Sequence, residues 1–489
     1  MPTPAGGPST GVHAGLQLET TRGATRVLRL PDLFEEFACS GAFGAAPAVL
    51  KALRANGHEC CFVGGCVRDA FLRRVQGREL PREPDFDLAT SASVEEVGRL
   101  FDKVVFVGAQ FGVSRVIMDG HTIEVAQFRT DEGIADGRHP LRVKKADMRS
   151  DSARRDFTIN ALYFDPETGR LFDFQSGVED LTGRLLRFIG EPGERIREDH
   201  LRILRAIRFA CTLNFSVERR TWEAICANAK LSATVSGERV SAELKKMLES
   251  PARVECVRML SDSGVMKVIL PEVEAMKGVD QPREFHPEGD VYIHTLLALK
   301  FLPPNASFEV ALATLLHDVG KPGKFRIAER IRFDGHAELG ATMTEEICRR
   351  LKLPAKTIEK VVWLVAHHMR YTIIRRMRKG RALNFLSHEH GRASLEMYKS
   401  DVLSSFKDLT AYDYCVELLD SVEKRPEPFV KGEDVIRMGL REGPAIGRVL
   451  EASYMNQLEG KYADREAALN DLPRIVQLVS KGEARDDEL

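Results

Sequence analysis

The pattern of apolar and polar positions changes character near residue 175. Before it, short apolar runs alternate with helical stretches. Glu59-Cys60-Cys61-Phe62-Val63 predicts a strand that ends at Gly64-Gly65, with a helix over 67–75 behind it. Further strands are expected at 86–89, 103–107, 112–118 and 121–127, the last two joined by Asp119-Gly120, a two-residue hairpin signal. Residues 33–55 read as helical, and residues 1–30 as a flexible leader. Beyond 176 a 3.6-residue period takes over, as in Leu201, Leu204, Ile207 and Ala210, or Val240, Leu244, Met247 and Leu248. The expected class is α+β: a small α/β head with a mixed sheet, then an all-α remainder. The expected divisions are a leader 1–35, a head 36–175, a helical neck and body 176–280, and two further helical parts, 281–425 and 426–489.

Composition narrows the function. The chain has 489 residues, enough for several domains. Its 71 basic and 72 acidic residues leave a net charge of −1, which excludes a protein that coats nucleic acid by its overall field but not a local basic patch. No apolar run approaches the roughly 20 residues of a membrane span, and residues 1–23 carry no apolar signal segment. Nine cysteines without metal or disulfide spacing suit buried thiols in a reducing cytoplasm. A cytoplasmic protein with no membrane partner is expected.

Gly64-Gly65-Cys66-Val67-Arg68-Asp69 stands where strand hands over to helix. Glycines there admit a ligand close to the backbone, a helix N-terminus offers free N–H groups to phosphate, and Arg68 adds positive charge. Alone, the pair is equally an ordinary turn. Asp85 and Asp87, at i and i+2 of an expected strand, project to one side, where two carboxylates repel unless a cation lies between them. Glu124, on the following hairpin, is a third acid. Each alone also fits a solvated strand position.

Followed by Arg154-Arg155-Asp156-Phe157-Thr158-Ile159-Asn160-Ala161-Leu162, these motifs resemble the head of the class II tRNA nucleotidyltransferase and bacterial poly(A) polymerase family, within the DNA polymerase β superfamily. The resemblance implies that Asp85, Asp87 and Glu124 are catalytic and that Asp85 and Asp87 hold two Mg²⁺ ions. It implies nucleotide binding by Gly64, Gly65 and Arg68, with Arg155, Asp156 and Asn160 toward the ribose. Glu198-Asp199-His200-Leu201-Arg202 fits the family's base-template helix, continued through Arg205. Asp199 and Arg202 are expected on one helix face, where an i, i+3 ion pair is the plain alternative. By resemblance they read cytosine or adenine edges, the carboxylate accepting from an exocyclic amine and the guanidinium donating to ring nitrogen or carbonyl. Glu238-Arg239 and Glu243 fit the family's bracing helix.

His317-Asp318 ends an apolar stretch, and adjacent His and Asp can share a metal given help from elsewhere. His294, His336, the pair His367-His368 and Asp401 offer that help, although any one of them alone suits a structural role. Their order resembles the HD phosphohydrolase superfamily. That resemblance implies a core set of His294, His317, Asp318 and Asp401 for a divalent transition metal. His336 and either His367 or His368 complete a second ion site.

Two basic stretches suit a polyanion: seven Lys and Arg between 137 and 155, and six between 370 and 381. Arg138, Lys144, Lys145, Arg375, Arg376, Arg378 and Lys379 are expected to contact RNA phosphates. The expected activity is CCA addition to tRNA from CTP and ATP, favoured over its relatives by resemblance at Asp136-Gly137-Arg138-His139-Pro140. Alternatives are a poly(A) polymerase or an enzyme adding only A or only C. An HD hydrolase with an RNA-binding head is an alternative of another class.

Overall fold

The computed structural model describes residues 17–22, 25–35, 41–78, 85–106, 112–134, 137, 140–327, 331–421, 427–440 and 443–480. They form two compact units. One comprises residues up to 235 together with 262–268, and the other 236–261 together with 269 onward. The division passes through the segment expected as neck and body.

The first unit is built on a mixed sheet of nine strands. These are β1 (Gln17–Arg22), β2 (Thr25–Arg29), β3 (Cys60–Val63), β4 (Asp87–Thr90), β5 (Val104–Val105), β6 (Val113–Met118) and β7 (His121–Gln127), then β10 (Leu162–Asp165) and β11 (Arg170–Asp173). Between the last two groups a separate hairpin, β8 (Arg129–Ile134) and β9 (Pro140–Lys145), stands apart from the sheet. The order is β1-β2-β11-β10-β3-β4-β7-β6-β5, and only the β4–β7 pair is parallel. Every residue of β3 and of β10 is buried, because helices cover the sheet; a continuous apolar run rather than alternation marks them in the sequence. Phe34 stacks on Phe62 and Phe164 at centroid distances of 4.8 and 5.0 Å, closing the core over the central strands. The Asp119-Gly120 turn takes φ of 51° and 80°, the double positive φ of a type I′ hairpin.

Two expectations change here. The segment expected as a flexible leader contains β1 and β2, and β2 pairs with β11, so residues 17–22 and 25–29 belong to the sheet. The expected base-template helix is broken into Pro192–Glu198 and Arg202–Leu213. Asp199 adopts extended angles (φ −148°), and its side chain accepts from the Leu201 N–H at 3.1 Å, an Asx-type turn that interrupts the helical ladder. Asp199 and Arg202 therefore flank a break rather than share a helix face.

The second unit is helical. Phe308–Leu316 is buried at every position but Glu309, so its apolar run is a central helix rather than an amphipathic one. It packs against the Ala355–His367 and Gly391–Ser404 helices, and Val291–Phe301 lies along the latter. Three C-terminal helices, Gly432–Arg437, Pro444–Leu458 and Arg465–Ser480, share their own cluster of Val435, Val449, Leu472 and Ile475.

Candidate active sites

In the first unit, parallel register sets Asp87 of β4 beside Glu124 of β7, and antiparallel register sets it beside Val63 at the end of β3. Asp85 precedes β4 rather than lying in it. Burial, then the charges of Glu124 and Asp85, push the Asp87 carboxyl up to about 7 against the opposing pull of Arg155. Three acids with too little local positive charge are what a divalent cation would neutralise. Glu124 also meets Arg115 at 3.6 Å across the hairpin.

Gly64 turns the chain from β3 into the Gly65–Gln76 helix at φ 78°, ψ −131°, a conformation that disfavours side chains. A Cβ at Gly64 would lie 3.8 Å from Asp87 Oδ2 and 4.0 Å from Arg155 Nη1, so the turn faces the acids and the arginine directly. Arg155 is fixed from behind by Asp151 at 3.0 Å and by the Tyr163 hydroxyl at 3.0 Å. Arg68 departs from its expected role. It is 8% exposed and donates to both Asp69 oxygens and to Asn160 Oδ1 at 2.8 Å, so its charge is spent inside the head rather than offered to a ligand.

A continuous polar network follows. Asn160 donates to Asp156 Oδ1 at 3.3 Å, and Arg205 donates to Asp156 Oδ2 at 2.8 Å. Beneath it lies Phe209, with the guanidiniums of Arg68, Arg205 and Arg208 at 5.0, 5.4 and 3.9 Å from its ring centroid. The Arg202 guanidinium is held by Glu198 at 2.6 Å and by the carbonyls of Arg195 and Arg154, both at 2.9 Å. The structure thus gathers Arg68, Asp156, Asn160 and Arg205 into one cluster. Asp151, Tyr163 and Phe209 were missed in the sequence, since a buried partner of an arginine carries no local signal.

In the second unit the histidines converge. His294, His317, Asp318, His336 and His368 are all at most 7% exposed. His294 Nε2 lies 3.3 Å from His317 Nε2 and 2.9 Å from Asp401 Oδ1, and Asp318 Oδ2 lies 3.2 Å from His317 Nε2. The other Asp318 oxygen is 3.6 Å from His336 and 3.9 Å from His368, whose Nε2 atoms are 3.2 Å apart. Asp318 thus bridges two ligand groups. His368 is the second-group residue, because His367 turns away to stack on Trp363 at 4.4 Å.

The outer nitrogens explain why the inner ones face the centre. Nδ1 of His317, His336 and His368 each meets a backbone carbonyl, of Thr314, Phe333 and Val365, at 2.8, 2.9 and 2.6 Å. His294 Nδ1 meets Glu288 Oε1 at 2.7 Å. A carbonyl only accepts, so Nδ1 of His336 and of His368 carries the hydrogen and their Nε2 atoms keep a lone pair for an ion, whereas Nε2 of His294 and of His317, set against the Asp401 and Asp318 carboxylates, would give up a hydrogen on binding one. Burial holds His368 neutral, down at about 3, while around Asp318 the neighbouring His317 and Lys321 outweigh the cost of burial and keep the carboxyl well below its usual range. This donor set fits two divalent ions. Glu288 and Lys321, whose ammonium lies 2.6 Å from Asp318, were not assigned from sequence.

The centre opens into a cavity of about 820 Å³, whose wall includes Phe285, Arg332, Phe333, Arg375 and Phe406. Arg375, expected among the RNA contacts, is exposed and lines this cavity. Arg376, Arg378 and Lys379 are exposed, as are Lys144 and Lys145, with Lys144 ion-paired to Glu132 at 2.6 Å across the β8–β9 hairpin. Arg138 lies outside the described residues.

These features define a protein with a phosphate-turn and carboxylate head and a histidine–aspartate helical unit. Residues 60–187 match the Poly A polymerase head domain, 214–277 the probable RNA and SrmB-binding site of polymerase A, and 286–423 the HD domain. A CC-adding tRNA nucleotidyltransferase of Thermus thermophilus is 32% identical over 83% of this chain and 91% of its own length. A CCA-adding enzyme of Streptococcus gordonii is 38% identical over 56% of this chain and 66% of its own. The chain spans between about half and two thirds of the lengths of such CCA-adding relatives. The fold is that of the Bacillus stearothermophilus CCA-adding enzyme, solved in complex with CTP, at TM-score 0.67 and 24% identity over 91% of this chain and all of that one. The chain belongs to the tRNA nucleotidyltransferase and poly(A) polymerase family. Membership implies use of a divalent metal ion. Among the described residues no helix is long and apolar enough to cross a membrane.

Proposed function

We propose that this chain adds CMP and AMP, from CTP and ATP, to the 3′ end of tRNA. The observation that carries the reading is the facing of the Gly64 turn, Asp87 and Arg155 within one unit that also holds the Asp156–Arg205 network. Asp85 and Asp87 would hold Mg²⁺, which when bound neutralises charge on the triphosphate. The turn's backbone N–H groups bind the phosphates. Arg155, locked by Asp151 and Tyr163, adds a fixed cation there, and Asp156 and Asn160 orient the ribose. Asp199 and Arg202 read the base edge from either side of the helix break, and Arg205 ties that element to Asp156. The RNA 3′-hydroxyl then attacks the α-phosphate, losing its proton, and pyrophosphate leaves. Lys144, Lys145, Arg376, Arg378 and Lys379 contact the tRNA backbone.

Asp85→Ala is expected to lower incorporation of labelled nucleotide by at least about 10²–10³-fold while the chain stays folded. Near-wild-type incorporation would remove the assignment. The name of the Thermus thermophilus relative favours a second reading, addition of the two C residues alone.

The helical unit would hydrolyse phosphoesters. His294, His317, Asp318 and Asp401 would hold one divalent transition metal, and Asp318, His336 and His368 a second. Arg375 on the cavity wall would meet the phosphate. Removal of divalent metal by a chelator is expected to abolish phosphatase or cyclic phosphodiesterase turnover, and turnover that persists without metal contradicts the assignment.

A further inference from the structure

A second group of ligand-type side chains lies elsewhere in the helical unit. Glu359 stands in the Ala355–His367 helix, while Glu389 and His390 immediately precede the Gly391–Ser404 helix. One ring nitrogen of His390 and one carboxylate oxygen from each glutamate lie within 4.8 Å of one another. Both glutamates are exposed, and neither is ion-paired among the described residues. His390 is only 9% exposed, and its Nε2 is buried without a hydrogen-bond partner. A buried ring nitrogen left unpaired is destabilising, and two adjacent carboxylates repel. A cation bound by Nε2 and by both carboxylates would relieve both.

The turn is held firmly enough to act as a ligand arm. A Cβ at Gly391 would meet the Leu386 carbonyl oxygen at 2.1 Å, so the backbone there is pressed against the preceding helix. The His390 ring is further held edge-on to Trp363 at 5.6 Å and to His388 at 5.1 Å.

We propose that Glu359, Glu389 and His390 form a zinc site, separate from the centre around Asp318. One imidazole and two carboxylates suit Zn²⁺, with water as the fourth ligand. The site joins two helices that each serve the main centre: the Ala355–His367 helix leads into His368, and the Gly391–Ser404 helix carries Asp401. The bound ion is a clamp between them.

Zinc content of the full chain after equilibrium dialysis tests this. Wild type is expected to hold one more ion per chain than His390→Ala or the surface variant Glu389→Gln. In a His317→Ala/Asp318→Ala chain, which lacks the main centre, one ion is expected to remain, to raise Tm, and to vanish when Glu389→Gln is added. Equal zinc content in wild type and Glu389→Gln, or a folded His317→Ala/Asp318→Ala chain without zinc, would overturn the proposal.

Discussion

Asp87 sets stability against chemistry. Its carboxyl is raised to about 7 in the folded chain by burial and by Glu124 and Asp85, against about 3.9 unfolded. A raised folded value favours the fold below the unfolded value, and that advantage is lost as pH rises through about 7. In the presence of chelator, Asp87→Asn is therefore expected to melt a few degrees above wild type at pH 8 and level with it near pH 4, while losing nucleotide incorporation. A melting difference independent of pH would contradict the like-charge account. In the other centre, Glu288 holds the Nδ1 hydrogen of His294. Glu288→Gln is expected to weaken metal binding there by about 10–100-fold, read by metal titration. Asp85, Asp87, His317 and Asp318 stand out as candidates from motif alone. Glu288 does not, because a loop carboxylate six residues from its histidine looks like solvent-facing charge until the fold brings them together. The choice between His367 and His368 was likewise hidden: neighbours on a helix point about 100° apart, and periodicity does not say which one faces the centre.

Among elements, those with strong local signals were readable. The Asp119-Gly120 hairpin is the clearest, since two positive φ values at a two-residue loop demand such residues. Gly120→Val should cost about 1–2 kcal/mol and lower the head's Tm by a few degrees, with the turnover proposed for the helical unit unchanged. What escaped the sequence depends on distant pairing. β2 lies on a polar, short stretch whose partner, β11, is more than 140 residues away, and β1 joins the sheet only through β2. The break at Asp199–Leu201 escaped because apolar spacing continues through it, while the competing side-chain to backbone bond adds no hydrophobic signal.

At the scale of the molecule, a net charge of −1 conceals segregation. Arg376, Arg378 and Lys379 are exposed cations in one stretch. Replacing all three by Ala is expected to weaken tRNA binding and flatten its salt dependence by up to about 0.7–0.9 per lost phosphate contact. Unchanged affinity and slope would remove this stretch from the RNA surface. The two chemistries should also separate: Asp85→Ala should stop incorporation and spare hydrolysis, and His317→Ala the reverse. The central claim is tested most directly by a tRNA lacking its terminal CCA, offered CTP and ATP singly and together. Two C residues with CTP alone, nothing with ATP alone, and CCA followed by arrest with both are the expected products. A growing run of A on any RNA, or arrest after CC with both nucleotides present, would contradict the account.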